Sequence, residues 1–150
     1  MENLLLSAHV LAGILFVGPV AVTTSLFPRF VPVSAPAADP SARSGRSASV
    51  ARMLHGVTRV YGLLALVVPV FGLVLAAVQG RLGEIWVVVA MVLTAVAGGL
   101  LALRIAPGQR AALDAPGDAG RLRALTLLTG VFNLLWAAVV VLMVVRPGSV

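Results

Sequence analysis

Four long apolar runs organise this chain, and no charged residue interrupts any of them. Residues 3–28, 60–80, 85–103 and 124–145 contain no Asp, Glu, Arg or Lys, which makes the runs 26, 21, 19 and 22 residues long. A helix rises about 1.5 Å per residue, so about 20 residues cross roughly 30 Å of hydrocarbon. Each run is long enough to span a bilayer once and too short to span it twice. An arginine at mid-span costs about 2.5–3.5 kcal/mol, and each Leu or Val returns only a few tenths. Runs this clean are hard to explain in water.

The breaker residues predict helices over about 3–27, 49–79, 84–104 and 121–145. Pro28 and Arg29 are expected to stop the first helix. Pro69 falls near the middle of the second, Pro107-Gly108 lies beyond the third, and Arg146-Pro147-Gly148 ends the fourth. The stretch 30–47, with Pro32, Pro36 and Pro40, reads as a loop, and 105–123 reads as polar turns. The five-residue link 81–85 forces its two helices to lie antiparallel. The expected fold is all-α: an integral membrane four-helix up-down bundle, with residues 1–150 forming one transmembrane domain. Met1-Glu2-Asn3 lacks a basic n-region, so the first run reads as a retained helix rather than a signal peptide.

Composition agrees. Hydrophobic residues make up 60% of the chain and charged ones 11%, against roughly 25% charged in a soluble domain. Without cysteine or lysine, the chain has no disulfide, thiolate ligand or Schiff base. All 11 basic residues are arginine, which with the abundant Ala, Val, Gly and Leu suggests GC-rich coding and a bacterial source. Arg29, Arg43, Arg46, Arg52, Arg59, Arg104, Arg110, Arg121 and Arg123 fall on one side of the predicted bundle, and Arg81 and Arg146 on the other. The positive-inside rule then makes both longer loops cytoplasmic and both termini external, in a bacterial plasma membrane. The net charge of +6 is met by anionic headgroups on the cytoplasmic side and needs no nucleic acid.

Few residues in the spans could carry chemistry. His9 shares a helical face with Gly13, Phe16 and Val20. A histidine one turn from a glycine offers a ligand beside a flat gap, as haem b would need. The plainer alternative is a neutral imidazole bonded to a carbonyl or hydroxyl of another helix. Arg52, His55 and Arg59 are spaced to share a face at the inner end of the second helix. They suit a phosphate or lipid headgroup, or simply the positive-inside rule. His9 and His55 lie too far apart in depth to share a metal. No carboxylate falls inside a span, which counts against a pump or a carboxylate-driven transporter. Ala95-x-x-x-Gly99, with Ala97 and Gly98, reads as a close-packing patch within the bundle, and Thr94 and Asn133 as cross-helix hydrogen bonders. No catalytic constellation emerges.

Several of these segments resemble a family of uncharacterised bacterial predicted integral membrane proteins, a four-helix domain of unknown function. The resemblance rests on Ala8 to Ala12, Phe16 to Pro19, Ser25 to Arg29, Ala51 to His55, Arg59 to Tyr61, Val68 to Gly72, and Trp86. It covers nearly the whole chain and implies class rather than activity. More loosely, the early histidine followed by an aromatic-glycine step is similar to two other groups. One is the haem-pathway membrane proteins of the HemJ type, which oxidise protoporphyrinogen. The other is the copper-resistance membrane proteins of the CopD type. That likeness implies haem at His9. The haem-pathway proteins also rely on a lysine in their third helix, which this chain lacks. Three functions are therefore expected: a structural or accessory membrane component, alone, self-associated or within a larger complex; a haem-b-binding membrane protein using His9; or a small transporter.

Overall fold

The computed structural model describes residues 2–33 and 46–147. Four long helices make up the fold: α1 (Glu2–Phe30), α2 (Ala48–Val78), α3 (Ile85–Asp114) and α4 (Ala119–Val145). Each is long and apolar enough to cross a membrane, and no strand occurs among the described residues. Arg43, Pro36 and Pro40 of the predicted first loop lie outside the described residues.

The helices meet in chain order around the bundle. α1 packs on α2, α3 on α4, and the second half of α1 on α4. The Ser47 amide donates to the Phe30 carbonyl at 3.0 Å, so the chain returns to the end of α1 before α2 begins. Arg121 Nη1 donates to the Ala111 carbonyl at 2.8 Å, tying the start of α4 to the end of α3. Asp118 caps α4 by accepting from the Arg121 amide at 3.0 Å. Arg146, with φ of 46°, ends α4 in the left-handed conformation.

Two of the predicted helix ends are wrong, and both errors concern prolines. Pro28 does not stop α1 but sits in its last turn. A proline there leaves the carbonyl four residues back without its amide partner. That carbonyl belongs to Thr24, and Thr129 Oγ1 of α4 donates to it at a long 3.5 Å. Likewise α3 does not end near Arg104 but runs through Pro107 to Asp114. Just before Pro107 the helix widens into a π-turn at Leu101–Ile105, where the Ala106 amide reaches the Leu101 carbonyl. A second π-turn, at Gly13–Val17 in α1, precedes Pro19 by the same interval. Such wide turns absorb the bond that a proline cannot make. In α2 the device differs. The helix tightens at Ala65 and Leu66, and the Val68 amide takes the Ala65 carbonyl at 3.1 Å, which Pro69 could not have reached.

Side-chain packing is uneven along the bundle. At the arginine-rich end a dense cluster joins Phe27 and Val31 of the first helix and its exit to Ala51, Leu54, Ala112, Leu122 and Leu125. Midway, Val20, Ala97, Leu101, Ile105 and Phe132 close the centre. Beyond them the helices part into an α1–α2 pair and an α3–α4 pair, with little contact between α2 and the first half of α3. Trp136 of α4 bridges to Ala12, Val17 and Val68, and a small cluster of Ala76, Trp86 and Val87 joins the two pairs at the far tip.

Candidate functional site

Between the two separated pairs lies a cleft of about 1630 Å³, bounded near one tip by Arg81, Trp86 and Arg146 and reaching Arg59 and Ala106 at the other end. It exceeds an ordinary small-molecule pocket of roughly 300–1,000 Å³. Its walls are mostly apolar, and its polar groups are few.

His9 is one of them. Its Nδ1 lies 3.0 Å from the Val68 carbonyl of α2. A carbonyl only accepts, so Nδ1 carries the proton, and the neutral ring's lone pair is fixed on Nε2. No group among the described residues bonds Nε2. The plainer sequence reading, an imidazole bonded to another helix's carbonyl, thus describes one ring nitrogen. The other remains able to act as a ligand. Metal-ligating histidines are usually oriented in this way, by a hydrogen bond from the nitrogen that does not ligate.

The ring is also held sterically. A Cβ built on Gly72 would sit 2.9 Å from His9 Cε1, so any larger residue there would have to push the imidazole from this position. Gly13 follows His9 by one turn, opens the π-turn, and lines the cleft. A Cβ there would meet nothing within 4 Å, so the gap beside the histidine is real. Trp136 of α4 packs against Val68, Ala12 and Val17 from the opposite pair. Its Nε1 is buried and has no hydrogen-bond partner among the described residues, while the residue itself lines the cleft. Arg81 is paired with Glu84 at 3.7 Å. The guanidinium of Arg146 lies 5.9 Å from the Trp86 ring centroid, and the indole of Trp86 donates to Glu84.

The three residues of the predicted basic stripe have different surroundings. Arg52 and Arg59 are exposed, and only Arg59 lines the cleft. His55 turns toward α3, where its Nδ1 lies 3.0 Å from Gln109 Oε1. Gln109 is almost fully buried at 1% exposure, with its Nε2 unpartnered. His55 precedes Val68 by 13 positions on α2, roughly 20 Å along the axis, so the two histidines sit at different depths as expected. No group of three or more His, Asp or Glu that could hold a metal ion occurs among the described residues.

The small-residue patch on α3 behaves differently from its sequence reading. Ala97 is buried in the central cluster, but Ala95, Gly98 and Gly99 line the cleft. A Cβ at Gly98 or Gly99 would meet nothing within 4 Å, so these glycines border space rather than a neighbouring helix. Asn133 does bond across helices, its Nδ2 donating to Ser25 Oγ at 3.0 Å. Thr94 instead donates to its own helix, at the Ala90 carbonyl, 2.8 Å away.

Val68, Gly72 and Trp136 were not singled out by chemical reasoning on the sequence. A backbone carbonyl carries no residue signal, and an apolar tryptophan reads as core. Pro69, which disturbs the helix beside Val68, was the available hint. No family model, no curated protein and no solved structure matches this chain.

Proposed function

We propose that this chain is a multi-pass membrane protein that holds an apolar prosthetic group among its helices, with His9 as the ligand and haem b as the group. The observation that carries this reading is the His9 ring: Nδ1 is spent on the Val68 carbonyl, and Nε2 is left bare on a large apolar cleft. The donor set suits haem. It offers imidazole without thiolate or carboxylate cluster, and room beside Gly13. Bound there, haem supplies one-electron chemistry at its iron. The chain would orient the ligand ring and exclude water. Of the segments behind the family resemblance, two supply residues that meet in this cleft, His9 from one and Val68 with Gly72 from the other.

Membrane insertion is inferred from what the helices expose. Leu4, Leu63, Leu134 and Val144 are each about 70% exposed or more. Apolar surface this extensive marks a membrane or partner interface. The arginine bias supports a cytoplasmic position for the end bearing Arg29 and Arg123. The chain has no native cysteine, so single cysteines report topology cleanly. In intact cells, Gly83→Cys should react with a membrane-impermeant thiol reagent and Ala115→Cys should not. The reverse pattern overturns the orientation.

Haem is tested by purification from haem-sufficient cells. The wild type should carry a Soret band, and His9→Ala should lose it while eluting as the same folded species. A colourless wild type, or a band that survives the substitution, overturns the haem assignment and leaves an accessory membrane role.

A further inference from the structure

A second cavity, about 410 Å³, lies at the opposite end from the His9 tip of the bundle and is independent of the haem reading. Arg29 from the end of α1, Arg46 from the approach to α2, and Arg123 from the first turns of α4 all line it. Arg46 is fixed in place, with Nη1 donating to the Val31 carbonyl at 2.8 Å and the Pro28 carbonyl at 3.3 Å. Those two bonds use one nitrogen of its fork. None of the three guanidinium groups has a carboxylate within 4 Å among the described residues. Two arginines nearby are paired, Arg110 with Asp114 and Arg121 with Asp118. Three positive charges from three separate segments, without a carboxylate partner among the described residues, therefore line one small cavity. The first residue of α4, Ala119, also lines it and adds the positive end of a 27-residue helix.

We infer that this cavity binds a phosphate group, and that the group belongs to an anionic phospholipid of the cytoplasmic leaflet. Guanidinium forks match phosphate oxygens in pairs, whereas a lone ammonium does not. Pro28, Val33 and Leu122 give the cavity apolar walls beside the charges, which suits a headgroup continuing into acyl chains better than a free ion. Basic pockets between helices on this side of a membrane bind phospholipid headgroups. The site is distinct from the Arg52, His55 and Arg59 stripe.

The test uses the full chain, delipidated in detergent. Phosphatidylglycerol, phosphatidylcholine and inorganic phosphate are each titrated in turn, and bound lipid is read by native mass spectrometry. Phosphatidylglycerol should be retained about tenfold or more over phosphatidylcholine. R29Q/R123Q, which removes two exposed charges and no hydrogen bond among the described residues, should abolish that preference, and R52Q/R59Q should keep it. If inorganic phosphate alone displaces the lipid with the same arginine dependence, the site stands and its source is a free phosphate. Equal retention of both lipids, or a preference that survives R29Q/R123Q while R52Q/R59Q removes it, overturns the proposal.

Discussion

The two ends of this bundle are built from the same four helices and differ in almost every other respect. At the arginine-rich end, Phe27, Val31, Leu54, Leu122 and Leu125 interdigitate, and the hydroxyls of Thr23 and Thr58 bond at 2.9 Å between α1 and α2. At the other end, glycine, alanine and helices made irregular beside Pro19 and Pro69 leave a cleft. Small residues in apolar helices are usually taken as points of close approach. Here Gly72 serves that role against His9, whereas Gly13, Gly98 and Gly99 have open space in front of them. The same residue type makes an interface in one place and a cavity in another. What decides between them is whether a large side chain arrives from the facing helix.

The sharpest way to break the comparison is to make the packed end loose. Phe27 is fully buried, and Phe27→Ala opens a hole among side chains from every other helix. If the unfolded helices stay in lipid, little transfer energy is lost, and the cost is mainly forfeited packing. The expected destabilisation is about 2–3 kcal/mol, toward the lower end of values for buried large-to-small changes. Val10→Ala, on the cleft wall and 49% exposed, should cost under about 0.5 kcal/mol. Reversible unfolding in mixed micelles measures both. Equal losses would mean that the two ends are packed alike.

Much of this architecture was legible in the residue pattern, because hydrophobic length is a strong signal. Four charge-free runs gave four helices, and α2 and α4 fall within two residues of their expected bounds. The misplaced ends, at Phe30 and Asp114, came from treating Pro28 and Pro107 as terminators. A proline stops a helix in water because its freed carbonyl and ring clash are costly. Inside a bundle, a hydroxyl such as that of Thr129 can bond the freed carbonyl, and a π-turn can make room for the ring. Gln109 was hidden by the same error, since a residue assigned to a polar turn is not examined as buried. His9 was legible as a candidate. Its partner was not, because the Val68 carbonyl is visible only when α1 and α2 are laid side by side.

A smaller effect sharpens the packed side of the comparison. Thr58 Oγ1 also donates to the Leu54 carbonyl at 2.9 Å. Thr23 Oγ1 can then supply the proton of the Thr23–Thr58 bond, with its 3.3 Å contact to the Val20 carbonyl as its alternative. Each hydroxyl keeps a local acceptor when the other is removed. A double-mutant cycle of Thr23→Val and Thr58→Val should therefore report a coupling near 0.6 kcal/mol, the average for such bonds between membrane helices. A coupling above about 2 kcal/mol would exceed that range and show the pair to be an organising contact of the closed end.

The smallest effect on stability is expected where the cleft is filled. Gly62 faces Leu101, with a built Cβ 3.1 Å from Leu101 Cδ2. Counting outward along the antiparallel pair puts Val68 level with Ala95. Gly98 therefore lies one turn, roughly 5 Å, inward of the His9–Val68 contact. A helical side chain leans toward the N-terminus of its own helix, so a leucine at 98 would reach back over Ala95, toward the level of His9. Nothing within 4 Å obstructs its first carbon, and leucine favours a helix over glycine by up to about 1 kcal/mol. Gly98→Leu should thus leave the empty protein as stable as the wild type or slightly more so. It should also lower haem occupancy after purification, while the His9–Val68 hydrogen bond remains. A marked loss of stability would mean that Gly98 faces a close neighbour and that the cleft is narrower than its walls indicate. Unchanged haem content in a stable variant would place the cofactor elsewhere in the bundle.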